Sequence, residues 1–513
     1  MSTILREAPP QPAQGKGPVE LKEALTAKRF TIGLIVTAIA TVLLTVYLLV
    51  APSSKLMVGF LVILLMMALM LFKIPIGIAM SAAAIFGLYV LVGPNAVVGS
   101  LKEIVFTSFA SWSLSVIPMF VLMGVAMGKS GLMSGAYDAA RKWLSRLPGG
   151  LAIATNFAGA GMAATSGSTI GIAYAIGRVS IPEMIRSGYK PSLAMGATGM
   201  AGTLGQVIPP SVLLVIYAGV AETPVGPQLL AGIIPGLALA VLFAIVIIVW
   251  AAISPSSAPR GRSYPWKERF ASLIHLVPML VIIVVVLGGI YFGVFTATEA
   301  GAYGALVTII LGLALIIARS RKSIKKGETT VPTRKVVGTY FSSTLMETVS
   351  AVAAVMLLLV GVLLLTRVMA LSGLAQWVAD MVIDLGLNQL SFLLLLIPVY
   401  LILGFFLDTL AMMLLTIPVF IGPLVALDVD LIWFGVFLIV LAEIDLVAPP
   451  LGIMNFVVLA ISQSSTKGMG LKLKITDVFK GVMPFIAACI VMLVVLIAWP
   501  DLALWLPGIS AAK

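Results

Sequence analysis

Apolar runs of about 20 residues recur along this chain, and that is the length an α-helix needs to cross the hydrocarbon core of a bilayer. Of 513 residues, 61% are hydrophobic and 10% charged, against roughly a quarter charged in an ordinary soluble domain. A water-facing exterior cannot be covered from so small a polar supply. In lipid each backbone N–H and C=O must be satisfied internally, and a helix does so within one segment. The chain is therefore expected to be an all-α polytopic membrane protein.

The same inventory removes several functions. There is one histidine, His275, and one cysteine, Cys489. An intrachain disulfide is impossible, a Cys/His zinc site is out of reach, and a Ser-His-Asp arrangement would have to use His275. Neither residue has a sequence context beyond packing or a span end. No G-x-x-x-x-G-K-[ST] motif occurs, which argues against an ATP-driven pump. The net charge of +12 reads as membrane topology, not as nucleic-acid binding. Residues 1–30 are polar and carry Pro9, Pro10 and Pro12, and Lys28-Arg29 precedes an apolar run at 31–51 that is too long for a signal h-region. These segments are expected to be a cytoplasmic disordered tail and, over 31–55, an extra N-terminal transmembrane helix.

Basic residues set the topology. Apart from Lys55, Lys102, Arg367 and Lys513, all Lys and Arg fall in clusters at the tail, Lys73, 129–146, 178–190, 260–269, 319–335 and 467–480. The positive-inside rule places all of these on the cytoplasmic side. Residues 149–177 lie between two of the clusters and are too few for two full spans, so a hairpin entering and leaving from the cytoplasm is expected. A mirror case occurs at 391–424, flanked by Asp380, Asp384, Asp428 and Asp430 without Lys or Arg between; this hairpin should open outward. With spans near 31–51, 56–72, 75–93, 113–128, 191–218, 228–252, 272–293, 297–318, 346–366, 432–461 and 481–499, every cluster falls inside. The N-terminus is then cytoplasmic and the C-terminal tail at 500–513 external.

The hairpins belong to a repeat. Ser166-Gly167-Ser168-Thr169 occupies the first tip, and Gly202-Thr203-Leu204-Gly205 leads into Ile208-Pro209-Pro210-Ser211. Asp408-Thr409 occupies the second tip, and Glu443-Ile444-Asp445 leads into Ala448-Pro449-Pro450-Leu451-Gly452. The two Pro-Pro pairs are 240 positions apart. Ser-Gly-Ser alone could be a close-packing seam, and Pro-Pro alone a kink. Matched in halves of opposite orientation (56–270 and 271–499), they form the inverted repeats with broken helices by which secondary transporters build midplane sites. Backbone carbonyls freed at such breaks suit a hard cation such as sodium.

At these residues the chain resembles the large membrane subunit of tripartite ATP-independent periplasmic (TRAP) transporters. The resemblance runs from about residue 56 to 499. It is carried also by Ile181-Pro182-Glu183-Met184, Ala231-Gly232-Ile233-Ile234-Pro235-Gly236, Thr296-Ala297-Thr298-Glu299-Ala300-Gly301 and Leu407-Asp408-Thr409. It implies an elevator-type carrier in the bacterial inner membrane, coupled to Na+, taking organic acids from a periplasmic substrate-binding protein. A small membrane subunit would brace it; the 31–51 helix is too little to be that subunit fused on, so a separate chain is expected. Ser166, Gly167 and Ser168 with Gly202, Thr203 and Gly205 would line one sodium site. Asp408 and Thr409 with the broken backbone at Ala448 would line the other, and Ser211, Arg367 and Asp408 would sit near the substrate. Two departures weaken the second site's assignment: Asp445 and Ala448 stand where the family usually has glycine and threonine.

Other charges read less specifically. Arg367 could clamp a carboxylate or anchor at the interface. Glu299 could cap a helix start. Glu443 and Asp445 could pair with backbone or water in the broken helix. Alternatives to the family reading are a self-sufficient ion-coupled carrier without a binding protein, a passive channel, and an intramembrane hydrolase using Glu443 and Asp445, which lacks a nucleophile and base.

Overall fold

Where a long apolar run is bounded by proline or a capping side chain, this chain makes a helix. In the computed structural model the described residues are 54–511 except 73, 105, 107–111, 133, 167–168, 328–329 and 405–406, together with 41, 43, 46 and 47. The expected tail, most of the extra helix at 31–55, and Gly167 and Ser168 lie outside them. All regular structure among the described residues is helical.

Helices α1 (Lys55–Leu71), α2 (Ile76–Val92) and α4 (Val116–Ser130) occupy three expected spans, with the short α3 (Pro94–Glu103) between them. The amphipathic α5 (Ser134–Leu144) precedes α6 (Gly150–Ser166) and α7 (Thr169–Arg186), the arms of the first hairpin. Next come α8 (Pro191–Val207) and α9 (Val212–Val220), one span broken at the first Pro-Pro. They are followed by α10 (Val225–Ala231), α11 (Ile233–Ile253), α12 (Trp266–Leu273) and α13 (Val277–Tyr291), the last with a π-turn at Val284–Gly288.

The second half starts with α14 (Ala297–Lys325). Thr296 and Glu299 close a reciprocal capping box there, with Glu299 accepting from the Thr296 N–H at 2.8 Å, as expected of that glutamate. Helix α15 (Thr333–Ser372) runs 40 residues. It extends the expected span at 346–366 in both directions, because Pro332 starts it and no proline interrupts it before Gly373 ends it at φ 74°. Then follow α16 (Leu374–Asp384), the second hairpin arms α17 (Gln389–Leu403) and α18 (Thr409–Ala426), and the broken pair α19 (Leu431–Val447) and α20 (Ile453–Ser465). Helix α21 (Ile475–Ala498) is the last long span. The stretch read as a C-terminal tail carries α22 (Asp501–Ala511), packed on α10.

Two groups form. In one, α14 lies along α4, and α15 along α2 and α4. Polar ties fasten α15 at two levels: Lys129–Glu347 at 2.6 Å and Arg367–Glu103 at 2.5 Å. In the other, α8 is packed by α6, α7, α19 and α21, while α20 packs on α7 and α11 on α21. The innermost helices are the two broken ones: α8 is buried from Leu193 to Gly205 and α19 from Trp433 to Val447. Small residues let α8 accept so many neighbours. At its closest crossing, backbone meets backbone: a Cβ on Gly196 would lie 2.3 Å from the Gly481 carbonyl oxygen, and one on Gly481 would lie 2.1 Å from that of Ser192.

Candidate ion and substrate site

The bases of the first hairpin come together. The Leu151 N–H donates to the Tyr189 hydroxyl at 3.2 Å, and Arg141 binds Glu183 at 2.6 Å, so the segment begins and ends on one side of the molecule. The Ser145 hydroxyl donates to the Arg262 carbonyl at 2.7 Å and Arg146 to the Ser263 hydroxyl at 2.8 Å. Three basic clusters thus share a face, as the charge pattern requires. In the second hairpin, Phe392 meets Phe420 edge-on near the base while the Tyr400 and Thr416 hydroxyls bond nearer the turn, the ladder of an antiparallel pair.

Arg141 bridges α5 to α7 through Glu183 and also holds Asp138 at 2.7 Å, which Lys142 contacts at 2.9 Å. Burial raises the Asp138 carboxyl, but hydrogen bonds and charge from Lys142 and Arg141 outweigh it and hold the pKa below the usual value. A carboxyl lowered in the folded state stabilises above its unfolded pKa and loses that contribution as pH falls through the folded one. Asp138→Asn is therefore expected to lower the melting temperature at neutral pH, with the difference shrinking below about pH 4. Glu183→Gln should cost about 1 kcal/mol at neutral pH, read by thermal melting in detergent. An unchanged melting curve for both would remove this network from the hairpin's support.

At the first tip, Ser166 ends α6 and Thr169 starts α7. The Thr169 hydroxyl is buried without a partner. Its carbonyl lies against Gly202, where a Cβ would sit 3.0 Å from that oxygen and 2.9 Å from the Ala173 Cβ. The structure thus brings Gly202 to the hairpin tip. Thr203 is fully buried and its hydroxyl donates to the Met200 carbonyl at 2.9 Å. Gly205 is buried one turn before the break at Ile208, the C-cap of α8. The Ala231–Gly236 motif explains itself here: side chains at Gly232 or Gly236 would reach the Val207 oxygen at 2.7 Å or the Ile208 side chain at 2.6 Å, so the glycines let α11 start against the break.

At the second tip, Asp408 is the N-cap of α18 and accepts from the Ala411 N–H at 2.9 Å. The Thr409 hydroxyl is buried without a partner. Ala448 is the C-cap of α19, its N–H donating to the Asp445 carbonyl at 3.2 Å. The Asp445 side chain, 4% exposed, reaches back to Gly404 at the end of α17 and lies within electrostatic reach of Asp408. One of its oxygens has no partner. Asn455 on α20 donates to the Val447 carbonyl at 2.8 Å and leaves its own oxygen unpartnered.

Ser211 and Arg367 are placed differently. Ser211 is fully buried as the N-cap of α9, accepting from the Leu214 N–H at 3.3 Å. Arg367 is committed to Glu103 across α15 and α3, a partner 264 positions away that no sequence pattern signalled. Sequence reasoning gave Thr169 no site role, yet it corresponds to Thr409 by the same offset of 240 that relates the Pro-Pro pairs. Around both breaks the unsatisfied groups are hydroxyl, amide or carboxylate oxygens, the donor set that a hard alkali cation takes at discontinuous helices.

Residues 61–502 match the family model described as the tripartite ATP-independent periplasmic transporter, DctM component. The chain is 32% identical over 412 residues to the C4-dicarboxylate TRAP transporter large permease protein DctM of Pseudomonas aeruginosa, covering 80% of this chain and 90% of that protein. It is 29% identical over 453 residues to the protein of the same description from Vibrio cholerae, covering 87% and 97%. Among solved structures, the YdaH transporter of Alcanivorax borkumensis superposes with a TM-score of 0.57 at 15% identity, over 82% of this chain and 90% of that one, a likeness of fold.

Proposed function

This chain belongs to the DctM family of tripartite ATP-independent periplasmic transporters as a large permease, and from that premise we propose that it couples sodium entry to uptake of an organic acid by an elevator movement. It is a multi-pass transport protein of the membrane, not an enzyme. A C4-dicarboxylate is the substrate class that the named relatives suggest. A periplasmic binding protein delivers it and a separate small membrane subunit braces the permease. The N-terminus lies in the cytoplasm and the C-terminus in the periplasm.

The observation that carries this reading is the matched pair of buried hydroxyls, Thr169 and Thr409, one at each hairpin tip and each without a hydrogen-bond partner among the described residues. Ordering each tip around an oxygen-coordinated sodium would complete the substrate pocket between them. The group of helices around α8 and α19 would then move against the group around α14 and α15. Sodium, when bound, supplies the charge that satisfies these oxygens; Thr169, Gly202, Thr203 and Gly205 would hold one ion, and Asp408, Thr409 and Ala448 the other.

The test is uptake of labelled dicarboxylate into proteoliposomes holding this chain and its partners, with and without an inward sodium gradient. Thr169→Val and Thr409→Val keep the shape and remove the ligand oxygen. Each is expected to cut sodium-driven uptake about tenfold or more. Uptake indifferent to sodium and to both substitutions would overturn the reading. Uptake without the binding protein would instead favour a self-sufficient carrier.

A further inference from the structure

Glu443 occupies a place where a carboxylate is hard to keep. It lies on α19 one turn before the Ala448 break, its side chain is fully buried, and neither of its oxygens has a hydrogen-bond partner. Thr203 of α8 stands within hydrogen-bonding reach of it, and the one Thr203 proton is shared with the Met200 carbonyl at 2.9 Å. One hydroxyl proton cannot satisfy both acceptors, so the carboxylate is left short of donors. Cys489 of α21 is also near the carboxylate and brings no charge. Helices α8, α19 and α20 contain no Lys or Arg at all, and Lys480 is nine positions before Cys489, about 13 Å along α21. An acidic side chain in a membrane interior with no cation beside it, and only a shared hydroxyl and a thiol for donors, is strongly disfavoured as an anion, so a positive charge belongs between these oxygens.

The position has a symmetry meaning. Thr203 and Glu443 are 240 positions apart, the offset that relates Pro209 to Pro449 and Thr169 to Thr409. Residues that correspond in the two repeats and also face each other lie on the pseudo-two-fold axis, where the broken helices meet and where such carriers place their ions.

We propose that Glu443 of the second repeat is the anionic ligand of the cation site built around Thr203 in the first, so that one sodium ion is held jointly by both halves. The inference rests on the sodium reading above. It assigns the ion a carboxylate that neutralises its charge within the protein, and it makes occupancy of the first site dependent on the register of α19 against α8.

The test is the thermal stability of the purified full-length chain, titrated with sodium chloride against choline chloride at constant ionic strength. The wild type should be stabilised by sodium. Glu443→Gln should raise the sodium concentration for half-maximal stabilisation about tenfold or more while leaving the melting temperature in choline no lower than wild type. Thr203→Val should shift it similarly, and the double variant should be no worse than the stronger single, since both remove parts of one site. If Glu443→Gln does not fold, Glu443→Asp withdraws the same charge by one methylene and must also shift the half-saturation. A wild-type sodium response in a folded Glu443 variant would make Glu443 a neutral buried bystander and overturn this inference alone. No sodium response in the wild type would overturn the sodium reading and the inference with it.

Discussion

Gly481→Ala is expected to leave little folded protein. At the crossing of α8 and α21 a methyl at this position would lie 2.1 Å from the Ser192 carbonyl oxygen and 3.0 Å from the Gly196 backbone. The colliding atoms are main chain of two packed helices, so no rotamer change relieves the overlap and the helices must separate. Forced separation opens contacts along the whole crossing, and overpacking of this kind costs about 3 kcal/mol or more. Gly196→Ala meets the Gly481 oxygen at 2.3 Å and should behave alike. Size-exclusion profiles and melting curves of the two variants check this. A melting temperature within about 2 °C of wild type for both would show that the helices are not in backbone contact.

Gly404→Ala is expected to abolish uptake by a different route. A Cβ there would lie 1.4 Å from one Asp445 oxygen and 1.7 Å from its carboxyl carbon. Here the obstacle is a single side chain, but it is 4% exposed and has little room to swing. The second hairpin would be pushed off the broken helix, and uptake of labelled dicarboxylate by the reconstituted transporter should fall to about a tenth or less. Asp445→Gly removes every atom of that clash. The double variant Gly404→Ala/Asp445→Gly should therefore regain much of the uptake lost. A double variant as inactive as the single would assign the loss to the Gly404 backbone and not to Asp445.

Much of this fold was legible because the bilayer restricts what a long apolar run can do. The runs at 56–72 and 75–93 became α1 and α2 nearly to the residue, and the charge clusters too close for two spans flank a helical pair whose ends share one face. The short helices α3, α5, α12 and α16 were not foreseen, since each is half-polar and too brief for a span signal. The candidate site was legible where repetition marked it, at the hairpin tips and Pro-Pro breaks. It was obscure where it depends on contacts between distant segments. The Arg367–Glu103 pair and the meeting of Glu443 with Thr203 both join helices whose neighbourhood only the folded chain creates.

Helix α15 also carries a length that can be set against a bilayer. Its 40 residues make about 60 Å of rod, twice the hydrocarbon thickness of a bilayer. Glu347 and Arg367, which anchor its two ion pairs, are twenty positions apart, about 30 Å, which is that thickness itself. The pairs with Lys129 and Glu103 are thus spaced like the jaws of a calliper set to the two headgroup layers. About 20 Å of the rod, from Thr333 to Met346, then stands clear of the lipid on the basic face. A thinner bilayer would leave one jaw in water and a thicker one would draw it into acyl chains, so the rod's tilt must follow the lipid in which the protein is placed.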